Sequence, residues 1–250
     1  MPAPSVVSRL KLIGLLVLAL ALWLLVLGCA AQQEEEGGGG QEESAQEPFT
    51  GSFVGDDIFV IDDNSNVGAF LALVAQEPEE RAGQPEVRAY LCDGRSINEW
   101  FNEGSAEGVE FDLASDGGAQ LVGSLKQDVD SSWVSGQIVL ADGTVLGFSM
   151  LPATGIAGLY DMSISGSELS GTSEDGGRLE GRLGDTPQED GLYPVTGIIT
   201  PADGQPQDFQ AFATPDVSGE LRFIVLDDGR IQGGPKRGEG AGFVSQDLDP

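Results

Sequence analysis

From Phe49 to about residue 232, the chain runs in short stretches of β-branched, aromatic and aliphatic residues, broken about every ten positions by Asp-Gly, Gly-Gly or Pro. Val87-Arg88-Ala89-Tyr90-Leu91-Cys92 and Val109-Glu110-Phe111-Asp112-Leu113 alternate with period two, as strands with one wet face do, and Leu221 to Val225 does so less cleanly. Gly68 to Val74 is apolar on both parities, which suits a central strand covered on both sides. The pattern predicts roughly eleven or twelve strands with short connections, so that sequence neighbours pair. The expected fold is all-β, an antiparallel meander closing into a β-barrel, because closure removes the exposed edges that invite aggregation. A β-sandwich of two packed sheets is the alternative.

One segment departs from period two. In Ser96-Ile97-Asn98-Glu99-Trp100-Phe101 a serine is followed three residues later by glutamate, just ahead of two large aromatics. This is a capping-box spacing, and it predicts a short helix near 96–103 with Trp100 and Phe101 lying on the sheet or plugging its end. A plain loop between strands is the other possibility.

The chain also repeats itself. Asp116-Gly117-Gly118 aligns with Asp175-Gly176-Gly177, and after a one-residue slip Leu121, Gly123 and Leu125 align with Leu179, Gly181 and Leu183. Beyond a short insertion, Val134, Gly136, Ile138 and Phe148 fall on Val195, Gly197, Ile199 and Phe209. The copies, 115–148 and 174–209, suggest a duplicated β-meander whose Asp-Gly pairs are hairpin turns. Neither copy holds enough apolar residues to fold alone, so both are expected to curl into one sheet of a single β-domain over 49–232. Residues 233–250 lose the alternation and read as a flexible tail.

The amino-terminal end follows a different rule. Arg9 and Lys11 precede an uncharged apolar run that stops at Gly28, slightly short of the roughly 20 residues of a membrane-spanning helix, so residues 1–28 read as a secretory signal peptide. Val26-Leu27-Gly28-Cys29 resembles the bacterial lipobox, although Leu27 is larger than is usual there. The resemblance implies that Cys29 becomes the lipid-modified first residue, with acyl chains worth about 0.8 kcal/mol per buried CH₂ as the anchor. Residues 29–48, rich in Gly, Gln and Glu, cannot bury enough surface to order themselves. As a random coil of about 20 residues they would span on the order of 25 Å.

Composition narrows the chemistry. The 250 residues carry a formal charge of −29, which becomes −31 once Arg9 and Lys11 leave with the signal. That balance disfavours nucleic acid and an anionic membrane surface as partners. With Cys29 lipidated, Cys92 has no partner in its own chain, so no disulfide framework exists. The chain has no histidine, which removes the usual base of nucleophilic triads and the commonest metal ligand. No phosphate-binding glycine loop and no G-x-S-x-G elbow is present. Asp62 to Asn66 begins like a calcium loop, but Val67 and Leu73 stand where Gly and Glu are needed, so a hairpin turn explains it better. No metal, cofactor or catalytic residue is expected. Asp56 and Glu110 could serve as glycosidase carboxylates only if they lie about 5–9 Å apart.

The sharpest candidate site is Arg88, Tyr90, Cys92, Asp93 and Arg95, with Trp100 following. In a strand Arg88, Tyr90 and Cys92 share one face, opposite Val87, Ala89 and Leu91. That polar face would line a pocket if the aliphatic set met a cover, and would otherwise lie at the surface. Arg88 and Arg95 could lower the pKa of the Cys92 thiol, while Asp93 would oppose them.

Tyr90-Leu91-Cys92-Asp93-Gly94 with Glu99-Trp100-Phe101, then Asp142-Gly143, Phe148 and Ala157-Gly158-Leu159-Tyr160, resemble segments of uncharacterised secreted lipoproteins of high-GC bacteria. The resemblance covers Tyr90 to Tyr160 and implies an extracytoplasmic, all-β protein; no activity comes with it. The expectation is therefore a lipid-anchored envelope protein, attached to a bacterial membrane through Cys29, with a non-catalytic β-domain that binds a small molecule, a wall glycan or an envelope protein. A carboxylate-based enzyme acting on glycans and a structural spacer are the alternatives.

Overall fold

The computed structural model describes residues 50–76, 86–128, 131–246 and 248; the expected signal peptide, Cys29 and the expected tether lie outside the described residues. What is described is all-β. The first half contributes β1 (Gly51–Val60), β2 (Phe70–Gln76), β3 (Glu86–Cys92), β4 (Asn98–Glu107), β5 (Glu110–Ser115), β6 (Gln120–Gln127), β7 (Ser132–Val139) and β8 (Val145–Pro152). The second half contributes β9 (Gly158–Ser165), β10 (Glu168–Ser173), β11 (Arg178–Leu183), β12 (Tyr193–Thr200), β13 (Gln207–Ala213), β14 (Ser218–Val225), β15 (Ile231–Ala241) and β16 (Val244–Ser245). Strands such as Glu168–Ser173 carry a single large apolar residue, too faint a period for the sequence pattern to register.

There are two closed barrels where one was expected. In the first, β1 to β8 pair in chain order and β8 returns to β1, with Ile58 opposite Phe148. The second begins as a meander from β9 to β13, but β14 crosses to pair with β9, and β15 and the short β16 fill the gap back to β13. Each repeat copy contributes to a different barrel, because each needs further strands to enclose its apolar face.

The two copies keep the same register. Leu121, Gly123 and Leu125 pair with Ile138, Gly136 and Val134, just as Leu179, Gly181 and Leu183 pair with Ile199, Gly197 and Val195. Gly136 then faces Phe148, and Gly197 faces Phe209. A Cβ on Gly136 or Gly197 would run into the phenyl ring opposite, so the glycine makes room for the phenylalanine that fills the barrel. The one-residue slip at the preceding turn disappears in three dimensions. Gly118 and Gly176 are the equivalent left-handed residues, with φ of 90° and 86°, and Ser115 and Ser173 accept from the amides of Ala119 and Gly177. The Asp116-Gly117 pair is therefore not the positive-φ dipeptide of its turn.

Alternate residues fill each barrel. Leu71, Leu91, Phe101, Leu121 and Phe148 lie inside the first, and Tyr160, Leu179, Val195, Phe209 and Phe223 inside the second. Apolar inside and largely polar outside is the reverse of the pattern on a lipid-facing barrel. A third apolar cluster joins the barrels into one compact unit: Val54, Phe70, Ala72, Val74, Tyr90 and Cys92 of the first meet Ala157, Leu159, Ile224 and Leu226 of the second. This seam explains why the run from Gly68 to Val74 is apolar on both parities: β2 has the barrel core on one face and the second barrel on the other. Ile224 at the same seam is the reason β14 alternates poorly.

Two expectations are corrected. The helix near 96–103 is absent; the segment is the turn into β4 and the strand itself. Asp93 takes the Ser96 amide that the capping box would have given to Glu99: its Oδ1 accepts from the N–H groups of Arg95, Ser96 and Ile97 at 2.7–2.8 Å. Glu99 accepts from the Ser115 hydroxyl at 2.6 Å instead of reaching back, and Phe101 and Trp100 point to opposite faces as strand residues do. The expected tail is likewise structured, since β15 and β16 complete the second barrel. Its glycines obscured it: a Cβ on Gly233 would overlap the Phe223 ring, and one on Gly234 would stand 2.8 Å from Asn98 Oδ1. They serve close approach rather than flexibility.

Candidate functional site

A cleft of about 540 Å³ opens where the seam meets solvent. β3 and β4 of the first barrel form one wall with Tyr90, Asn98, Glu99, Trp100 and Asn102; β14 and β15 of the second form the other with Arg222 and residues 235–240. The second wall depends on a defect in a strand pair. Leu221 faces Pro235 and Gly219 faces Gly240, so Lys236 to Glu239 have only Glu220 opposite and loop out of the ladder into the cleft wall.

Side-chain contacts brace each wall, and three of them cross from one wall to the other: Asn98 to Pro235, Arg222 to Trp100 and Arg237 to Asp116. The Tyr90 hydroxyl donates to Asn98 Oδ1 at 2.6 Å, and Asn98 Nδ2 donates to the Pro235 carbonyl at 2.9 Å. The Arg222 guanidinium lies 3.7 Å from the centre of the Trp100 ring, a cation–π contact between barrels. Arg237 reaches Asp116 at 3.1 Å, and Lys236 reaches Glu239 at 3.5 Å. Arg222 Nε sits 3.2 Å from Asp161 Oδ1, close enough for an ion pair, although its N–H is not aligned for a hydrogen bond. Burial pulls the Arg222 guanidinium below its ordinary pKa while Asp161 holds it up, and burial drives the Tyr90 phenol well above its own.

The sequence candidates separate in three dimensions. Tyr90 and Trp100 line the cleft. Arg88 faces the same side of β3 but pairs with Glu174 of the second barrel at 2.6 Å, outside the cleft lining. Cys92 is wholly buried in the seam, where its sulfur accepts the Gly94 amide at 3.3 Å and burial pushes its thiol up to about 12. A thiol at that pKa is an inert packing group, not a nucleophile. Asp93 organises its turn, and Arg95 is exposed on that same turn. The polar face of β3 thus became an interface instead of a pocket floor.

Arg222, Lys236 and Arg237 were missed, along with Asn98, Glu99 and Asn102. The amides and Glu99 were hidden by the helical reading of 96–103, and the two cations of β15 by the reading of 233–250 as a tail. One signal was available: Leu226-Asp227-Asp228-Gly229-Arg230 echoes Leu91-Cys92-Asp93-Gly94-Arg95. Both segments make the same aspartate-capped turn, with Asp228 Oδ1 accepting from the Arg230 amide and φ of 74° and 87° at Gly94 and Gly229. An ordered strand should follow each.

Asp56 and Glu110 do not come together as a carboxylate pair. Asp56 is paired with Arg230 at 2.7 Å, while Glu110 lines a separate groove on the outer wall of the first barrel. Asp62 to Asn66 form the expected turn: Asp63 Oδ1 accepts the amide and hydroxyl of Ser65, and those bonds lower its pKa. Among the described residues, no group of three or more His, Cys, Asp or Glu is placed to hold a metal ion. Compared with protein-family models, with curated proteins and with solved structures, the chain matches none.

Proposed function

We propose that this chain is a lipid-anchored extracytoplasmic protein of the bacterial envelope, and that the cleft between its barrels binds a wall glycan without transforming it. The observation that carries the binding reading is the composition of the cleft. Trp100 is partly buried with Arg222 over one ring face, and the part of the indole left open to the cleft can pack against sugar C–H groups, while Asn98, Asn102 and Glu99 supply the amides and carboxylate that hydroxyl groups pair with. Anchoring rests on Arg9 to Cys29, and the acidic stretch after Cys29 suits a spacer between membrane and domain.

Binding without turnover is favoured because each carboxylate of the cleft is already engaged: Glu99 by Ser115, Asp116 by Arg237 and Glu239 by Lys236. The test uses the full-length protein in detergent against oligosaccharides released from bacterial walls, read by native mass spectrometry. Unmodified glycan should be retained, and Trp100→Ala should lose it. Release of shortened glycan would replace the binding reading with an enzymatic one. For the anchor, Cys29→Ala should move the protein from the membrane fraction to the soluble one; unchanged partition refutes lipidation.

A further inference from the structure

We infer that the sugar taken by this cleft carries an acidic group, carboxylate or phosphate, and that Arg222 seats it. The inference rests on the cleft being a glycan site and concerns which glycan enters.

The chain has only 12 Lys and Arg residues against 41 acids, yet Arg222, Lys236 and Arg237 all line this one cleft. Two of the three are matched locally, by Glu239 and Asp116. Arg222 differs: its side chain is only 12% exposed, whereas Asp161, the one carboxylate paired with it among the described residues, is 62% exposed, and the buried Arg222 Nε makes no aligned hydrogen bond. A guanidinium taken out of water needs compensation that a single solvated partner, with Nε left without a hydrogen bond, supplies poorly. Stacking on Trp100 fixes the plane of the guanidinium beside the surface proposed to hold the sugar. A planar fork held over the indole matches a sugar acid or sugar phosphate, with the sugar against the part of Trp100 that Arg222 leaves open and the anion on the arginine.

Charge at long range opposes this ligand, because a chain of −29 repels anions. Discrimination must therefore come from contact inside the cleft, and affinity should hold or rise as salt screens the repulsion, the opposite of a simple basic patch.

The test is a glycan array of neutral, carboxylate-bearing and phosphate-bearing envelope oligosaccharides probed with the full-length protein. Acidic glycans should bind at least about tenfold more tightly than neutral ones of equal length, and Arg222→Gln should abolish that preference. The carboxylate and phosphate arms identify the acid. Arg237→Gln alters a side chain that is 72% exposed, so the fold survives, and it should weaken acidic glycans about threefold at most. Equal binding of neutral and acidic sugars, unchanged by Arg222→Gln, would overturn the inference while leaving the glycan reading intact. Failure of every sugar to bind the folded protein would overturn both.

Discussion

Arg88 Nη2 lies 2.6 Å from Glu174 Oε1, an ion pair that crosses from the first barrel to the second. Both side chains are about three-quarters covered, and burial raises the Glu174 pKa more than Arg88 lowers it. Removing one partner strands the other, so Arg88→Met should cost about 1–3 kcal/mol in urea unfolding, and the double change with Glu174→Gln less than the sum of the two singles. Strict additivity would show that the pair contributes nothing.

Alkaline pH should unfold the protein through the seam. In the unfolded chain the Cys92 thiol ionises near its ordinary 9.0, while in the folded chain it holds its proton to about 12. The folded state thus binds more protons in that window, and stability that is complete below pH 9 is lost as pH rises. The loss is on the order of 2–3 kcal/mol by pH 11, and buried Tyr90 adds to it in the same direction. Cys92→Ala should flatten the dependence of unfolding free energy on pH between 9 and 11 by about one proton. The native thiol should also resist a disulfide reagent at pH 8 and react only on denaturation.

The glycine pairs facing phenylalanine should tolerate no side chain. Gly197→Ala would set a methyl group against the Glu180 carbonyl and the Phe209 ring, which costs about 3 kcal/mol or more. At Gly166, where φ is 64° and nothing lies within 4 Å, Gly166→Asn should cost about 1 kcal/mol or less. Thermal unfolding of the two variants separates steric exclusion from a general need for glycine.

Asp93 is a structural acid. Its Oδ1 serves three amides, so Asp93→Ala should destabilise by about 2 kcal/mol, and Asp93→Asn, which keeps an acceptor oxygen, by less. Equal losses in the two variants would place its contribution in charge rather than in the turn.

Besides Trp23, the tryptophans are Trp100 and Trp133. If the cleft binds sugar, the intrinsic fluorescence of Trp133→Phe should respond to wall oligosaccharides as wild type does, and that of Trp100→Phe should not. A response that follows Trp133 would move the site off the cleft.

The sequence by itself determined what depends on local period: the all-β class, the shared face of Val87, Ala89 and Leu91, the double cover on the run from Gly68 to Val74, and a duplication that survives as identical strand register. Turn chemistry was legible only in part. Asp93 and Glu99 both sat near Ser96, and a capping-box spacing cannot reveal that a nearer carboxylate will take the amides. Tertiary structure alone decided that there are two barrels, that β14 crosses to β9, and that the outer faces of β3 and β14 meet. Those choices rest on partners far apart along the chain, such as Asn98 with Pro235, 137 residues on, and Gln232 with Gly68, 164 residues back. A strand pattern records that a face is covered but not by what. Arg88, Tyr90 and Cys92 therefore read as either a pocket lining or a surface face, and only the arrival of the second barrel made most of that face a seam and left the cleft at its edge.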